Sequence, residues 1–207
     1  MSEENKPARR QYRRTTERRQ EILVAVVQLL SDPDCCGVTT KDIARFLGIA
    51  DGALYRHFSG KAEILEELIG FCDASFERMF DEINTESNVT MVMRAMVKAR
   101  ALLLFVEANS GLTRLLTGEA LCLEGAQVRE SMQRCLAKAE KALCASLELA
   151  VVQREVAADI NPVVRARLIM SYVQGRWARF VASGFEEKPT EDWAQAQVIL
   201  FSDLVSA

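Results

Sequence analysis

The chain has 207 residues, of which 49% are hydrophobic and 27% are charged, and its formal net charge at pH 7 is −3. These proportions are typical of a globular protein, and no apolar run is long enough to span a bilayer. The first residues carry charges without an apolar segment, so they do not resemble a secretory signal peptide, and we expect a cytoplasmic protein.

Positive charge is concentrated at the N-terminal end. Up to Lys61 the chain has eleven Lys and Arg against eight Asp and Glu, a net charge of +3, whereas the remainder has a net charge of −6. Localised positive charge is the electrostatic requirement for binding DNA phosphates. We expect residues 1–15 to form a flexible basic arm that enters a minor groove or neutralises phosphates. The alternative is a tail that only solubilises the chain.

Three helices are predicted in the N-terminal domain, residues 16–61. The first covers 16–30 and ends before Pro33. The second begins behind Thr39 or Thr40 as its cap and ends at Gly48, and the third covers 51–58. Their shared core is predicted to contain Ile22, Val26, Leu29, Leu30, Ile43, Phe46, Leu47, Leu54 and Phe58.

Six further helices are predicted in residues 62–207, which we interpret as a regulatory and dimerisation domain. The chain shows no strand alternation and no repeat, so the predicted fold is all-α with about nine helices. The predicted ranges are 61–83, 91–108, 112–123, 127–152, 162–183 and 192–205.

The second and third helices have the spacing of a helix-turn-helix. The major groove of B-DNA is about 12 Å wide and admits one helix, and Gly52 and Ala53 are small enough for a close approach to the bases. Tyr55, His57 and Lys61 form a predicted phosphate clamp, the alternative being that Tyr55 and His57 are partly buried against the first helix. The predicted DNA contacts are Arg9, Arg10, Arg13, Arg14, Thr39, Thr40, Lys41, Asp51, Gly52, Ala53, Tyr55, Arg56, His57 and Lys61.

An apolar stripe on the eighth predicted helix favours self-association. The stripe offers more apolar surface than a small protomer easily covers, so a partner helix from a second copy is expected; the alternative is an internal core stripe. The residues assigned to dimerisation are Leu168, Tyr172, Val173, Trp177, Phe180 and Val181.

Catalysis, metal binding and redox chemistry have little support in the residues. The chain has one His, no Gly-rich phosphate loop and six scattered cysteines without a CxxC pair, so we expect no cofactor, no metal and reduced, buried thiols. Redox sensitivity of the adjacent Cys35 and Cys36 is the alternative. Arg114 and Glu119, beside Thr113 and Thr117, are compatible with a polar site, and a solvated helix face explains them equally well.

The segments TTKDIARFLGI (39–49) and GALYRHFSGK (52–61) resemble the signature of the TetR family. The resemblance implies a two-domain, all-helical, DNA-binding homodimer in which helices eight and nine of two protomers form a four-helix bundle. Many members of this family release DNA when a small molecule binds. A cavity lined by Met91, Met93, Met96, Leu103 and Phe105 would serve that alternative, although such a stripe is more often core.

The segments NSGLTRLLTG (109–118) and RFVASGF (179–185) resemble a branch of this family that controls cell division. This resemblance implies a nucleoid-associated protein that binds specific chromosomal sites and, when on DNA, antagonises the division GTPase FtsZ. The FtsZ tail would dock between the fourth and fifth helices. The partner-binding residues carried over by the resemblance are Phe71, Arg78, Leu104 and Asn109.

Overall fold

The computed structural model describes residues 6–35, 37–121 and 124–204, with side chains from Thr16 onward except that of Asp203. Within these ranges the chain forms nine α-helices, two short 3-10 helices and no strand, which confirms the all-α prediction. No helix in this part is long and apolar enough to cross a membrane. The bounds are α1 Lys6–Leu30, α2 Thr40–Leu47, α3 Asp51–Leu54, α4 Lys61–Thr85, α5 Met91–Ala108, α6 Ser110–Leu116, α7 Ala126–Val152, α8 Pro162–Ala182 and α9 Trp193–Phe201, with 3-10 helices at Glu119–Leu121 and Ser202–Leu204.

Helix α1 begins ten residues earlier than the sequence predicts. Its backbone is helical from Lys6, so most of the segment assigned to a flexible arm continues the first helix. The side chains of Arg9, Arg10, Arg13 and Arg14 lie outside the described part, and their assignment as DNA contacts stays a prediction.

Helix α2 begins and ends where the sequence predicts. Thr39 and Asp42 form a reciprocal capping box: the Thr39 hydroxyl accepts from the Asp42 amide at 3.2 Å, and the Asp42 carboxylate accepts from the Thr39 amide at 3.0 Å. These bonds hold the pKa of Asp42 below its usual value, first through the Thr39 hydroxyl. Gly48 ends the helix at φ 63°, the left-handed conformation that favours glycine.

The three N-terminal helices share one small core, as predicted, with two corrections. Ile22, Ile43, Leu54 and Phe58 are fully buried. Phe46 was expected in this core but is half exposed. Helix α3 is only four residues long, although the amides of His57 and Phe58 continue its turn by bonding to Leu54 O.

Helices α4, α5, α7 and α8 pack together as the body of the regulatory domain. An aromatic cluster lies among three of them: the Phe76 ring is 5.0 Å from Phe105, edge to face, and 6.4 Å from Trp177. The prediction of a dimerisation stripe needs correction here, because part of it faces this core. The members buried inside the protomer are Val173, Trp177, Phe180 and Val181.

Helix α6 connects this body to α1 through a contact that we call the α1–α6 joint. Arg114 is 3% exposed and donates to Leu30 O at 3.1 Å, Asp32 O at 2.6 Å and Pro33 O at 3.2 Å. Gly111 lies directly against the backbone carbonyl of Val27, where an added Cβ would overlap. The interpretation of Arg114 as part of a solvated face was therefore wrong, since its guanidinium bonds the carbonyls at the end of α1.

Candidate nucleic-acid interface and partner groove

The α2–α3 surface is open to solvent where the sequence places DNA. A Cβ at Gly52 would meet no atom within 4 Å, so no contact inside the protein requires glycine there. Ala53, Thr40, His57 and Lys61 are half buried. The predicted contacts that are exposed are Thr39, Lys41, Asp51, Gly52, Tyr55 and Arg56.

Arg19, one of the clustered basic residues near the N-terminus, fixes the loop between α3 and α4. Arg19 donates to His57 O and to the carboxylates of Glu63 and Glu67, and its guanidinium carbon lies 4.0 Å from the centre of the Phe58 ring. This side chain is bound within the protein, since α1 uses it to hold the residues that follow α3. Only the fold brings these partners together, because they lie 38 to 48 residues apart in sequence.

Glu63 completes the same connection from the first turn of α4. Its carboxylate accepts from the Ser59 amide at 2.7 Å and from the Ser59 hydroxyl at 2.9 Å. These two bonds, followed by the one from Arg19, hold the pKa of Glu63 below its usual value. The loop that carries Tyr55 and His57 is consequently held on one side by Arg19 and on the other by Glu63.

Lys61, the predicted cation of the phosphate clamp, has a partner in the regulatory domain. Its Nζ lies 2.8 Å from Oε1 of Glu124, which follows the 3-10 helix between α6 and α7. The two side chains are 24% and 12% exposed, so the ion pair is largely shielded from solvent. His57 is also partly buried, and its Nδ1 has no hydrogen-bond partner among the described residues.

A groove of about 790 Å³ opens between α1 and α4, next to the start of α6; we call it the α1–α4 groove. Phe71 and Asn109, two of the predicted partner-binding residues, line it. Arg78 and Leu104 are exposed but are not among its lining residues. The lining is mostly apolar and comes from both domains: Gln20, Leu23, Val24, Val27, Gln28, Glu67, Leu68, Gly70, Phe71, Asn109 and Leu112.

Helices α8 and α9 each carry exposed apolar side chains. Leu168, from the predicted dimerisation stripe, is half exposed, and Tyr172 is half buried with its ring 6.3 Å from that of Trp193. We call the exposed side chains of Val164, Leu168, Val198 and Ile199 the α8–α9 face. The last two were not predicted, because the amphipathic pattern of α9 is weak.

A cavity of about 370 Å³ lies between α4 and α7, bordered by Phe76, Phe80 and Ala142. Lys98 is buried beside it, with Nζ 2.8 Å from Ser146 Oγ and 3.2 Å from Ala142 O, and burial lowers its pKa. The residues predicted to line an inducer cavity line neither this cavity nor the α1–α4 groove; they are Met91, Met93, Met96, Leu103 and Phe105.

The four cysteines that the structure describes do not line the α1–α4 groove or the α4–α7 cavity. Cys72 and Cys135 are buried, and burial raises the pKa of Cys135 to about 12 and that of Cys72 further. Cys35 and Cys144 are half buried, whereas Cys36 and Cys122 lie outside the described residues. In the described part of the chain, no group of three or more potential metal ligands comes together.

A helix-turn-helix on a helical regulatory domain defines a class of DNA-binding regulators, and sequence comparison agrees with it. The model for bacterial regulatory proteins of the tetR family matches residues 22–68. A model for a tetracyclin repressor-like C-terminal domain of the SlmA-like type matches residues 88–205. The chain belongs to the TetR family, and it is a DNA-binding regulator rather than an enzyme, as the sequence predicts.

Relatives with high coverage lie within one branch of this family. The nucleoid occlusion factor SlmA of Idiomarina loihiensis is 32% identical over 190 residues, which cover 92% of this chain and 96% of that protein. The SlmA of Shewanella sediminis has the same identity and coverage. The similarity therefore extends through the DNA-binding domain and the regulatory domain.

Solved structures confirm the fold. FadR of Bacillus subtilis, determined with stearoyl-CoA, superposes with a TM-score of 0.71 at 17% identity and covers 90% of this chain and 97% of its own. The ketosteroid regulator KstR2 of Mycobacterium tuberculosis gives 0.70 at 19% identity, covering 89% and 93%. At these identities the likeness concerns architecture alone.

Proposed function

We propose that this protein is a nucleoid occlusion factor: a homodimer that binds specific chromosomal sites and, when on DNA, antagonises FtsZ. The observation that carries the proposal is the similarity to SlmA over 92% of the chain. The function requires a DNA-binding surface, a self-association surface and a docking surface for FtsZ. Each has a candidate on the molecule.

DNA binding is assigned to the exposed α2–α3 surface and the start of α4. Gly52 and Ala53 lie at the start of α3, where small side chains allow the backbone to approach base edges. Tyr55 and Lys61 are assigned to phosphates, which position the protein without reading sequence. Each phosphate contact adds about −0.9 to the slope of log affinity against log salt.

Dimerisation is assigned to the α8–α9 face. Exposed valine, leucine and isoleucine side chains on neighbouring helices gain free energy when a second copy covers them, at roughly 25 cal/mol per Å² of apolar area. A face that pairs with its own copy closes the assembly at two subunits. Of the predicted dimerisation stripe, Leu168 is the member that is exposed and therefore supports this assignment.

The FtsZ tail is assigned to the α1–α4 groove rather than to the space between α4 and α5 that the family resemblance implies, because Phe71 and Asn109 line this groove. The Phe71 side chain is 54% exposed, an unusual position for a large aromatic ring unless it contacts a partner. Asn109 lies in the same groove, with its amide nitrogen bonded to Phe105 O at 2.7 Å and its side-chain oxygen available as an acceptor. An apolar peptide segment would cover the ring and bond the amide.

The test combines genome-wide occupancy of the tagged protein with capture of FtsZ in the presence and absence of one recovered DNA site. We expect many dispersed sites and stronger capture with DNA. Phe71→Ala should lose FtsZ capture and keep DNA affinity. Leu149→Ala removes a similarly exposed apolar side chain outside the groove, and it should keep both. No FtsZ capture with or without DNA would refute the proposal.

A second candidate is a repressor released by a small ligand. The α4–α7 cavity supports it, because Phe76, Phe80 and Ala142 form an apolar wall and Lys141 supplies a cation at its edge to an amphiphilic anion. FadR, a neighbour in fold, was solved with such a molecule, stearoyl-CoA. One or a few promoter sites, no FtsZ capture and a lipophilic anion that lowers DNA affinity would establish this function instead.

A further inference from the structure

We propose that Glu124 acts as an internal competitor of DNA for Lys61, so that DNA binding and the state of the α6–α7 connection are coupled. The inference rests on the proposed function, in which Lys61 binds a phosphate. The observation is the 2.8 Å ion pair between the first residue of α4 and a carboxylate of the regulatory domain.

The ion pair is better shielded than other pairs near the DNA-binding surface. The side chains of Arg45 and Asp42 are 79% and 36% exposed, whereas those of Lys61 and Glu124 are 24% and 12% exposed. Exposed pairs contribute little because water and salt screen them, and shielding from solvent strengthens the attraction. Glu124 therefore removes much of the positive charge that Lys61 would otherwise present to DNA.

A phosphate and the Glu124 carboxylate compete for the same ammonium. Lys61 presents three N–H donors, but its single positive charge is already balanced by Glu124 at hydrogen-bond distance. A phosphate beside the intact pair would also face the negative charge of Glu124. Binding of the phosphate consequently favours separation of Lys61 from Glu124.

Separation has a consequence beyond the DNA surface, because Glu124 belongs to the connection that follows α6. The backbone carbonyl of Glu124 accepts from Arg129 in the first turn of α7, and the preceding 3-10 helix follows the helix that carries Arg114. Loss of the pair removes an ionic contact between this connection and α4. By linkage, anything that holds the connection against α4 weakens DNA binding to the same degree.

The experiment measures operator affinity by fluorescence anisotropy for four forms: wild type, Glu124→Gln, Lys61→Met and the double variant. Glu124→Gln keeps the shape and removes the charge, and we expect it to tighten DNA binding about three- to tenfold. The gain should disappear when Lys61 is Met. Unchanged or weaker binding by Glu124→Gln, or an equal gain without Lys61, would overturn the inference.

Glu119→Gln is the matched control. Glu119 lies in the same connection and pairs with Arg114 at 3.3 Å, so its substitution removes one negative charge without touching Lys61. We expect less than a twofold change in DNA affinity. A gain as large as that of Glu124→Gln would mean that overall charge, and not the ion pair, sets the affinity, which also contradicts the inference.

Hydrogen exchange supplies a readout that affinity alone does not give. In wild type, DNA should accelerate amide exchange at Glu119–Leu121, and in Glu124→Gln exchange there should already be fast without DNA. Equal protection with and without DNA would contradict the coupling. If wild type binds no DNA site, the proposed function fails; if it binds DNA but Glu124→Gln changes nothing, only this inference fails.

Discussion

The two sides of α1 meet the regulatory domain in opposite ways. On one side the α1–α6 joint has Arg114 bonded to three carbonyls and Gly111 against the Val27 carbonyl. On the other side, the same helix borders an open groove of about 790 Å³ across from Phe71. The DNA-binding domain is therefore attached by buried polar contacts at one edge and has free volume at the other.

This difference separates the residues that hold the domains together from those available to a partner. At the joint, the last carbonyls of α1 have no partner within their own helix and need donors from elsewhere. In the groove, α1 contributes mostly apolar side chains and its helical backbone bonds are complete. Substitutions should consequently change folding at the joint and binding in the groove.

The largest expected effect on stability is that of substituting Arg114. Arg114→Met keeps much of the apolar stem but leaves the buried carbonyl of Leu30 and the partly buried carbonyls of Asp32 and Pro33 without their donor. Because buried unsatisfied groups cost about 1–3 kcal/mol each, we expect a loss of about 3 kcal/mol in the free energy of unfolding. Urea denaturation followed by circular dichroism measures it. A loss below about 1 kcal/mol would mean that the joint does not depend on these bonds.

A pair of Gly→Ala substitutions compares the two sides directly. At Gly111 the new methyl group would overlap Val27 O, and we expect destabilisation of about 2 kcal/mol. At Gly70, which lines the groove within α4, a Cβ meets nothing within 4 Å, and Ala should stabilise by about 0.5–1 kcal/mol. Thermal and urea unfolding of both variants measure the sign of the change in the free energy of unfolding. Equal signs would remove the contrast between joint and groove.

Lys98 tests whether burial of a cation is stabilising in itself. Like Arg114 it is 3% exposed, but within the described residues its ammonium bonds Ser146 Oγ and Ala142 O and lies 5.7 Å from the centre of the Phe80 ring, and burial lowers its pKa. Lys98→Met should therefore stabilise by about 1 kcal/mol, opposite in sign to Arg114→Met. Urea denaturation at neutral pH decides it, and destabilisation comparable to that at Arg114 would contradict this reasoning.

The stabilisation expected for Lys98→Met should depend on pH, and the sign of this dependence follows from the lowered pKa of Lys98. The unfolded chain binds a proton at Lys98 more tightly than the folded chain, so the stability of wild type rises with pH between the lowered folded pKa and the unfolded value of 10.5. The advantage of Lys98→Met should shrink through that window. A constant difference across it would show that desolvation of the ammonium is not the cause.

The smallest effect on folding is expected in the groove. Val24 is half exposed, so Val24→Thr should change the free energy of unfolding by less than about 0.5 kcal/mol. The same variant should weaken FtsZ capture if the groove is the docking surface. A large loss of stability would show that this side of α1 is part of the folded core and not an open surface.

The sequence predicts most of the fold because its helix ends are locally encoded. Thr39, Gly48 and Pro162 mark helix ends through caps and fixed φ angles, and the predicted bounds of α2 and α5 agree with the structure. Helical periodicity places Trp177 on the apolar face of α8, but it does not indicate whether that face packs within the protomer or against a second copy. Trp177 packs within the protomer's own core. The prediction that Phe46 is buried was wrong for a related reason. The short helix α2 has more apolar residues than its single buried face can accommodate.

The candidate sites are harder to predict, because their decisive contacts join residues that are distant in sequence. Arg19 lies among basic residues that resemble a DNA-binding arm, yet its partners are Glu63 and Glu67. Lys61 has its counter-ion 63 residues later, at Glu124. Composition and spacing indicate the type of surface, while the partner of each charge depends on tertiary packing.

The length of α1 turns small rotations at its C-terminal end into large displacements near the DNA. The helix has 25 residues, so at 1.5 Å per residue it is about 37 Å long. A rotation of about 10° about the Arg114 end moves Arg19, which lies 11 residues from Leu30 and bonds the loop that follows α3, by about 3 Å, a quarter of the width of the major groove. In a dimer the α1 helices of the two protomers rotate in opposite senses, and the distance between the two α3 helices changes by up to twice that amount. The stiffness of the joint would thereby select operators by half-site spacing, independently of base contacts.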